Sequence, residues 1–171
     1  MRTLGSYSEE AAGLTVEAFR EAHPTPVLLH RPEGVPDQPG FRTDLTDPGA
    51  TRLEIATDLV THPELRVLPL EKRDGTLFEH RICVGRTRNN DIVLPYAKIS
   101  KFHAYFTWSE EGDRYFITDP GSTNGTFVNG NRLTQLERIE VKDRTVVSFS
   151  RYHFRFHSPD GLFEASMLLR D

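Results

Sequence analysis

The chain of 171 residues is 37% hydrophobic and 27% charged, which is typical of one globular domain with an extension rather than a fibrous or disordered protein. Its formal net charge of −4 argues against general nucleic-acid binding, which depends on a dense basic surface. Cys83 is the single cysteine, so no internal disulfide can form. No run approaches the roughly 20 apolar residues of a membrane span, so we expect no membrane insertion. Residues 1–10 lack a secretory signal, and we therefore expect a cytoplasmic protein.

Few elements are predicted in residues 1–63, which we interpret as a partly ordered extension. Thr15 is a suitable N-cap and Phe19 an apolar residue of the first turns, so residues 15–22 are predicted to form a short helix. The apolar run 27–29 predicts a strand, whereas the prolines and glycines of residues 31–50 predict a loop.

From about Glu64 onwards, short apolar runs alternate with turn signals, and we predict an all-β domain over residues 64–158. Strands are predicted at residues 65–70, 78–84, 104–109, 114–118, 126–128, 139–141, 145–149 and 152–157. Alternation places Ala104, Phe106 and Trp108 on one face, which favours a sandwich of two sheets.

The tail, residues 159–171, is predicted to form a short C-terminal helix. Ser158 is a suitable N-cap, and Pro159 is favoured at the first helical position. The apolar residues with helical spacing are Leu162, Phe163, Met167 and Leu168.

Cations exceed acids between residues 80 and 109. The cations are Arg81, Arg86, Arg88, Lys98 and Lys101, and Asp91 is the only acid. This excess in loop-like stretches predicts a local anion site, with a solvated basic edge as the alternative. A second group of polar and glycine residues, 119–126 with Asn129-Gly130, can present hydroxyl and N–H groups or can simply form turns.

Four blocks in chain order resemble the signature of the forkhead-associated (FHA) domain family. They are Gly85-Arg86, Asn90-Asp91-Ile92-Val93-Leu94, Ile99-Ser100-Lys101-Phe102-His103-Ala104, and residues 119–130 with Asp119, Gly121-Ser122-Thr123-Asn124-Gly125-Thr126 and Asn129-Gly130. The resemblance covers about residues 65–157. It implies an FHA-type β-sandwich of eleven strands in two antiparallel sheets, whose loops at one end bind phosphothreonine peptides.

The resemblance also implies which residues form the site. The implied phosphopeptide-binding residues are Arg86, Ser100, Lys101, Thr123 and Asn124, and those implied to support the site structurally are Gly85, His103, Gly125 and Asn129. An arginine presents a charged fork of donors to phosphate, hydroxyls add further donors, and an amide suits a peptide backbone. Lys101 departs from the arginine of many family members, which puts affinity in doubt.

The implied function is phosphothreonine-dependent protein–protein interaction in Ser/Thr kinase signalling. The expected partners are a phosphothreonine-containing protein, a Ser/Thr kinase or its substrates, with no nucleic acid, cofactor, metal or catalytic residues. A phosphate-independent scaffold using the same fold is the main alternative. A hydrolase triad of Ser100, His103 and Asp119 is disfavoured because no Gly-x-Ser-x-Gly elbow occurs. A further hypothesis is that a threonine of the extension, such as Thr61, becomes an intramolecular ligand once phosphorylated.

Overall fold

A computed structural model describes residues 1–32 and 62–170 of the chain. These residues form two β-sheets and three helices. The helices are α1 (Leu4–Ala11), α2 (Val16–Ala22) and α3 (Pro159–Leu168). The strands are β1 (Val27–His30), β2 (Arg66–Pro69), β3 (Ile82–Gly85), β4 (Ile92–Val93), β5 (Ala104–Trp108), β6 (Tyr115–Thr118), β7 (Thr126–Val128), β8 (Asn131–Arg132), β9 (Arg138–Val141), β10 (Val146–Phe149) and β11 (Tyr152–His157).

The two sheets pack face to face, which confirms the predicted β-sandwich. The six-stranded sheet has the order β2-β1-β11-β10-β7-β8, and the five-stranded sheet has the order β4-β3-β5-β6-β9. Every pairing is antiparallel except that of β3 with β4. Phe106 and Ile117 from one sheet meet Phe149 and Phe154 from the other, all four fully buried, so the main core lies between the sheets.

Apart from single residues at strand ends, the predictions differ from the structure in the extent of β3, in two short strands and in the burial of Trp108. Residues 78–81 lie outside β3, although they belonged to the predicted run 78–84. The two-residue strands β4 and β8 were not predicted, because two residues are too few to show an alternating pattern. Trp108 lies on the predicted face but is only partly buried.

The N-terminal residues join the sandwich and cover one of its sheets. The predicted helix at residues 15–22 is confirmed as α2, where the Thr15 Oγ1 accepts a hydrogen bond from the Ala18 N–H. Strand β1 is also confirmed and lies between β2 and β11. Phe19 of α2 packs with Val27 and Leu29 of β1 in a second apolar cluster on the outer face of the six-stranded sheet. The boundary near Glu64 stays a prediction, and the predicted loop falls largely outside the described residues.

Helix α1 was not predicted, and its stability comes from tertiary contacts. Leu4, Tyr7 and Ala11 lie on one face and are buried in the second cluster. Gly5 and two serines give the segment low intrinsic helix propensity. The Gly5 N–H nevertheless donates to the carbonyl oxygen of Pro63 at 2.8 Å, in a contact that leaves little room for a side chain.

Helix α3 confirms the predicted C-terminal helix, with one correction to its buried face. The Ser158 Oγ accepts a hydrogen bond from the Gly161 N–H, as expected of an N-cap. Met167 is 37% exposed, whereas Ala165 and Ser166 are buried. The buried face of the helix is therefore shifted by about one residue towards its N-terminus relative to the prediction. Across residues 1–32 and 62–170, every helix is too short or too polar to cross a bilayer.

Candidate functional site

The loop after β3 begins at Gly85, where the chain leaves no room for a side chain. A Cβ built on Gly85 would lie 2.3 Å from the carbonyl oxygen of Lys101. Gly85 was implied to support the site structurally, and the reason for glycine here is this close approach, since its φ is not positive. The next N–H group, that of Arg86, donates to the carbonyl oxygen of Ser100 at 3.0 Å. The β3–β4 and β4–β5 loops are therefore joined at the base of Arg86.

The carbonyl oxygen of Lys101 is held by two side chains that the sequence interpretation did not assign to the site. The Thr87 Oγ1 donates to it at 2.9 Å, and the Asn90 Nδ2 donates to it at 2.7 Å. Asn90 is buried and also donates to the carbonyl oxygen of Thr87. Its place in the Asn-Asp block of the family signature was the available signal, but that block predicts no particular hydrogen bond.

The β4–β5 and β6–β7 loops meet through Ser100. The Thr123 N–H donates to the Ser100 Oγ at 3.1 Å, so the hydroxyl hydrogen of Ser100 remains able to donate elsewhere. The Asn124 Nδ2 donates to the carbonyl oxygen of Lys98 at 2.9 Å. These contacts bring the loops of Arg86, Ser100 and Thr123 together at one end of the sandwich.

His103 lies beneath these loops and is fully buried. Its Nδ1 accepts a hydrogen bond from the Ser100 N–H at 3.0 Å, which requires that the ring proton sits on Nε2. The Nε2–H then donates to the carbonyl oxygen of Gly125 at 2.9 Å. Burial lowers the pKa of His103, although the contact with Gly125 and the nearby Asp119 charge act in the opposite direction. His103 therefore joins the two loops as a neutral imidazole.

Asp119 organises the β6–β7 loop from its first residue. One carboxylate oxygen accepts the N–H groups of Gly121 and Ser122 at 2.8 and 2.7 Å, and the other accepts the Ser122 hydroxyl at 2.6 Å. Burial raises the pKa of this carboxyl, but the donors of Ser122 and Gly121 outweigh burial, and the net pKa is lowered. An aspartate two residues before a glycine was the sequence signal for this arrangement. Both nitrogens of His103 are used on the main chain, so the structure does not form the triad that the sequence disfavoured.

Gly125 and Asn129 lie between the loop and the sheet below it. Gly125 has a φ of +88°, and its carbonyl oxygen accepts the Ser150 N–H at 2.8 Å in addition to His103. Asn129 and Gly130 have φ values of 49° and 83° and form the turn between β7 and β8, and the Asn129 Oδ1 accepts the Val146 N–H at 3.0 Å. Both residues thus link these loops to the six-stranded sheet.

The charge around these loops is positive because the nearby acid is already paired. Arg86, Lys98 and Lys101 are exposed, and their side chains form no hydrogen bond or ion pair within residues 1–32 and 62–170. The Asp91 side chain is fully buried and accepts the Lys72 Nζ at 2.9 Å as well as the Cys83 N–H at 2.7 Å. The described part of the chain contains no group of three or more His, Cys, Asp or Glu residues suited to a metal ion.

Comparison with known proteins agrees with this geometry. Residues 82–150 match the FHA domain family. The chain is 31% identical over 108 residues to the ABC transporter ATP-binding/permease protein Rv1747 of Mycobacterium tuberculosis, with 63% of this chain and 11% of that protein covered. It is 32% identical over 66 residues to the FHA domain-containing protein FhaB of the same species, covering 39% of this chain and 41% of that protein.

A solved structure gives the same architecture. The FHA domain of the CT664 protein from Chlamydia trachomatis superposes with a TM-score of 0.51 and 17% identity, covering 78% of this chain and 97% of that one. At this level of identity the similarity shows the fold. Because the chain spans about a tenth of the length of the first curated relatives it matches, the similarity concerns the domain and not those whole proteins.

Proposed function

We propose that this chain, which carries an FHA domain over residues 82–150, binds phosphothreonine peptides of partner proteins through the loops that carry Arg86, Ser100 and Thr123. The observation that carries the proposal is the pair of hydrogen bonds that converge on Ser100. Its carbonyl oxygen accepts the Arg86 N–H at 3.0 Å, and its Oγ accepts the Thr123 N–H at 3.1 Å. Three loops are thereby preformed, which reduces the ordering cost of binding.

The charges support phosphate as the ligand. A phosphothreonine side chain carries about −1.5 to −2 charges and three acceptor oxygens at neutral pH. Arg86 and Lys101 are exposed, and within the described residues neither side chain has a partner to give up. Ser100 uses its oxygen as an acceptor from Thr123, which directs its hydroxyl hydrogen to a phosphate oxygen. We assign Arg86 the main charge, Ser100 and Thr123 the hydroxyl contacts, and Lys101 a second charge.

Asn124 supports the peptide in a different way. One amide hydrogen is used on the carbonyl oxygen of Lys98, which fixes the side-chain orientation. The Oδ1 atom is left to accept an N–H of an extended peptide, and the second amide hydrogen to donate to a peptide carbonyl. In this proposal Asn124 orients the peptide, whereas other residues of the site bind the phosphate.

In this proposal the domain is an interaction module and not an enzyme. Its partners are phosphothreonine-containing proteins, among them Ser/Thr kinases or their substrates, and it acts in kinase signalling in the cytoplasm. The capture of a phosphorylated threonine of the extension stays a hypothesis, and Thr61 lies outside the described residues.

Titration calorimetry of the full chain with matched phosphothreonine and unmodified peptides tests the proposal. We expect Arg86→Ala to weaken phosphopeptide binding by at least about 30-fold, since loss of one partner of a desolvated charge pair costs about 2–5 kcal/mol. Arg88→Ala is the matched control, because Arg88 is also exposed and unpaired among the described residues but lies outside the implied site. Equal binding of the phosphorylated and plain peptides would show a phosphate-independent scaffold instead.

A further inference from the structure

A group of aromatic rings lies beside the proposed site on the five-stranded sheet. We call it the Arg81 face and define it as Phe78, Arg81, Phe102 and Tyr105. Phe102 stacks on Tyr105 and on Phe78, with ring centroids 6.1 and 6.0 Å apart. The Arg81 guanidinium lies over Tyr105 at 4.4 Å and over Phe78 at 5.2 Å. The four side chains therefore form one continuous surface.

This surface faces away from the core. Tyr105 alternates along β5 with Ala104 and Phe106, which are fully buried between the sheets, so its ring is on the outer side. The outer face of the other sheet is covered by the second apolar cluster, to which the helices contribute, and none of that cluster's buried residues comes from the five-stranded sheet. Phe78 is 41% exposed and its neighbour Leu77 is 74% exposed. Arg81, Phe102 and Tyr105 are partly exposed. Exposed apolar area of this kind favours contact with another chain.

Hydrogen bonds hold the main chain of the Arg81 face at two points. The Arg81 N–H donates to the carbonyl oxygen of Phe78, and the Lys72 Nζ donates to the carbonyl oxygen of Arg81 at 3.0 Å. At the other end, Phe102 follows Lys101, whose carbonyl oxygen is held by Thr87 and Asn90. The main chain that carries the rings is thus connected directly to the loop of the proposed phosphate site.

Charge indicates which kind of segment this surface binds. Within residues 1–32 and 62–170 the Arg81 side chain forms no hydrogen bond or ion pair, and Glu79 in the same turn does not pair with it. The buried acid Asp91 is bound to Lys72, whose Nζ also donates to the carbonyl oxygen of Arg81. A guanidinium that lies over aromatic rings can still present N–H groups to a carboxylate in a two-point contact. An acidic segment is therefore the complementary ligand.

We propose that the Arg81 face binds an acidic segment of the same phosphorylated partner, outside the residues next to its phosphothreonine. The proposal rests on the proposed function and adds a second point of contact to it. Phe102 follows Lys101 in the chain, and the Arg81 guanidinium lies over Tyr105, whose ring centroid is 6.1 Å from that of Phe102, so further peptide residues separate the acidic residues from the phosphothreonine. Two linked contacts raise the affinity of a partner that carries both features.

Calorimetry of the full chain with three synthetic peptides tests this proposal. One is a phosphothreonine peptide with a Gly/Ser extension, the second carries Asp and Glu in that extension, and the third is the acidic peptide without phosphate. The extension is placed before the phosphothreonine in one set and after it in another. We expect the acidic run in one of the two placements to raise affinity about threefold to tenfold at low salt, and this gain to fall as salt is added.

The Arg81→Gln variant isolates the contribution of the surface. It should abolish the gain from the acidic run and leave the affinity for the Gly/Ser phosphopeptide unchanged. Arg114→Gln is the matched control. Arg114 also lies over an aromatic ring of this sheet, that of Phe116, but is paired with Glu140 at 2.9 Å. The gain in affinity from the acidic run should persist in this variant. A full gain in Arg81→Gln, or no gain in the parent chain, overturns this inference alone. Failure of phosphorylation to increase binding of the Gly/Ser peptide overturns the proposed function, and this inference with it.

Discussion

His103 makes two hydrogen bonds that two different substitutions can separate. Its Nδ1 accepts the Ser100 N–H at 3.0 Å, and its Nε2–H donates to the carbonyl oxygen of Gly125 at 2.9 Å. An asparagine at this position places its amide near Nδ1, and a glutamine places its amide near Nε2. His103→Asn therefore keeps an acceptor for Ser100, and His103→Gln keeps a donor for Gly125.

The two variants should differ in stability because the two partners are not equally dependent on His103. The carbonyl oxygen of Gly125 also accepts the Ser150 N–H at 2.8 Å, so His103→Asn loses one net hydrogen bond, about 0.5–1.5 kcal/mol. His103→Gln leaves the Ser100 N–H without an acceptor, which costs about 1–3 kcal/mol. Both lose the edge-on ring contact with Phe149 at 5.7 Å, which cancels in the comparison. We expect His103→Gln to be the less stable variant by about 1 kcal/mol.

Urea denaturation followed by tryptophan fluorescence measures this difference. Trp108 is the only tryptophan in the chain and packs against the main core, so its emission reports the folding of the sandwich. Phosphopeptide affinity measured on the same variants should fall in the same order, because Ser100 belongs to the proposed site. A His103→Gln protein as stable as His103→Asn would refute the assignment of the proton to Nε2 and of Nδ1 as the acceptor for Ser100.

Three further predictions concern packing, affinity and pH. Gly85→Ala should lower the free energy of unfolding by more than about 2 kcal/mol in thermal denaturation, because its Cβ would lie 2.3 Å from the carbonyl oxygen of Lys101. Gly13→Ala is the control and should change the free energy of unfolding little, because a Cβ there would meet nothing within 4 Å among the described residues. Lys101→Arg should tighten phosphopeptide binding in calorimetry, because a guanidinium adds a two-point contact with phosphate; unchanged or weaker binding would contradict this role. Burial lowers the pKa of His103 and of His157, so the unfolded chain binds more protons as pH falls below about 6.5. Unfolding free energy should therefore decrease with acidification below that pH, and a flat urea midpoint between about pH 7 and 5 would contradict it.

The sequence predicted the fold correctly where the local pattern of apolar residues matches the residues that are buried in the structure. The alternation of Ala104 and Phe106 predicted β5 and its inner face, and both residues are fully buried. Helix α1 was missed because its stability comes from contacts that no local pattern contains. Gly5 lowers the helix propensity of the segment but packs against Pro63, a residue 58 positions later in the chain.

The site shows the same division between residue types and contacts. The residue types of the proposed phosphate site were visible in the order of the four blocks, but the hydrogen bonds that bring them together run between different loops. Ser100 and Thr123 are 23 residues apart, and the Gly85 contact depends on the position of Lys101. The supporting role of Asn90 depends on the same carbonyl oxygen, that of Lys101. Such contacts follow from the fold and not from spacing along the chain.

The loops can be locally basic in a chain of negative net charge because the nearby carboxylates accept hydrogen bonds from other parts of the fold. Asp91 is bound by Lys72 and by main-chain N–H groups, and Asp119 is bound by Ser122 and Gly121. Burial raises the pKa of both carboxyls, yet their donors hold the net pKa of each below its ordinary value, so both stay charged and occupied at neutral pH. Neither is then available to pair with Arg86. The same donors that shape the loops thus leave Arg86 unpaired among the described residues, which is compatible with the proposed phosphate site in a chain whose net charge is −4.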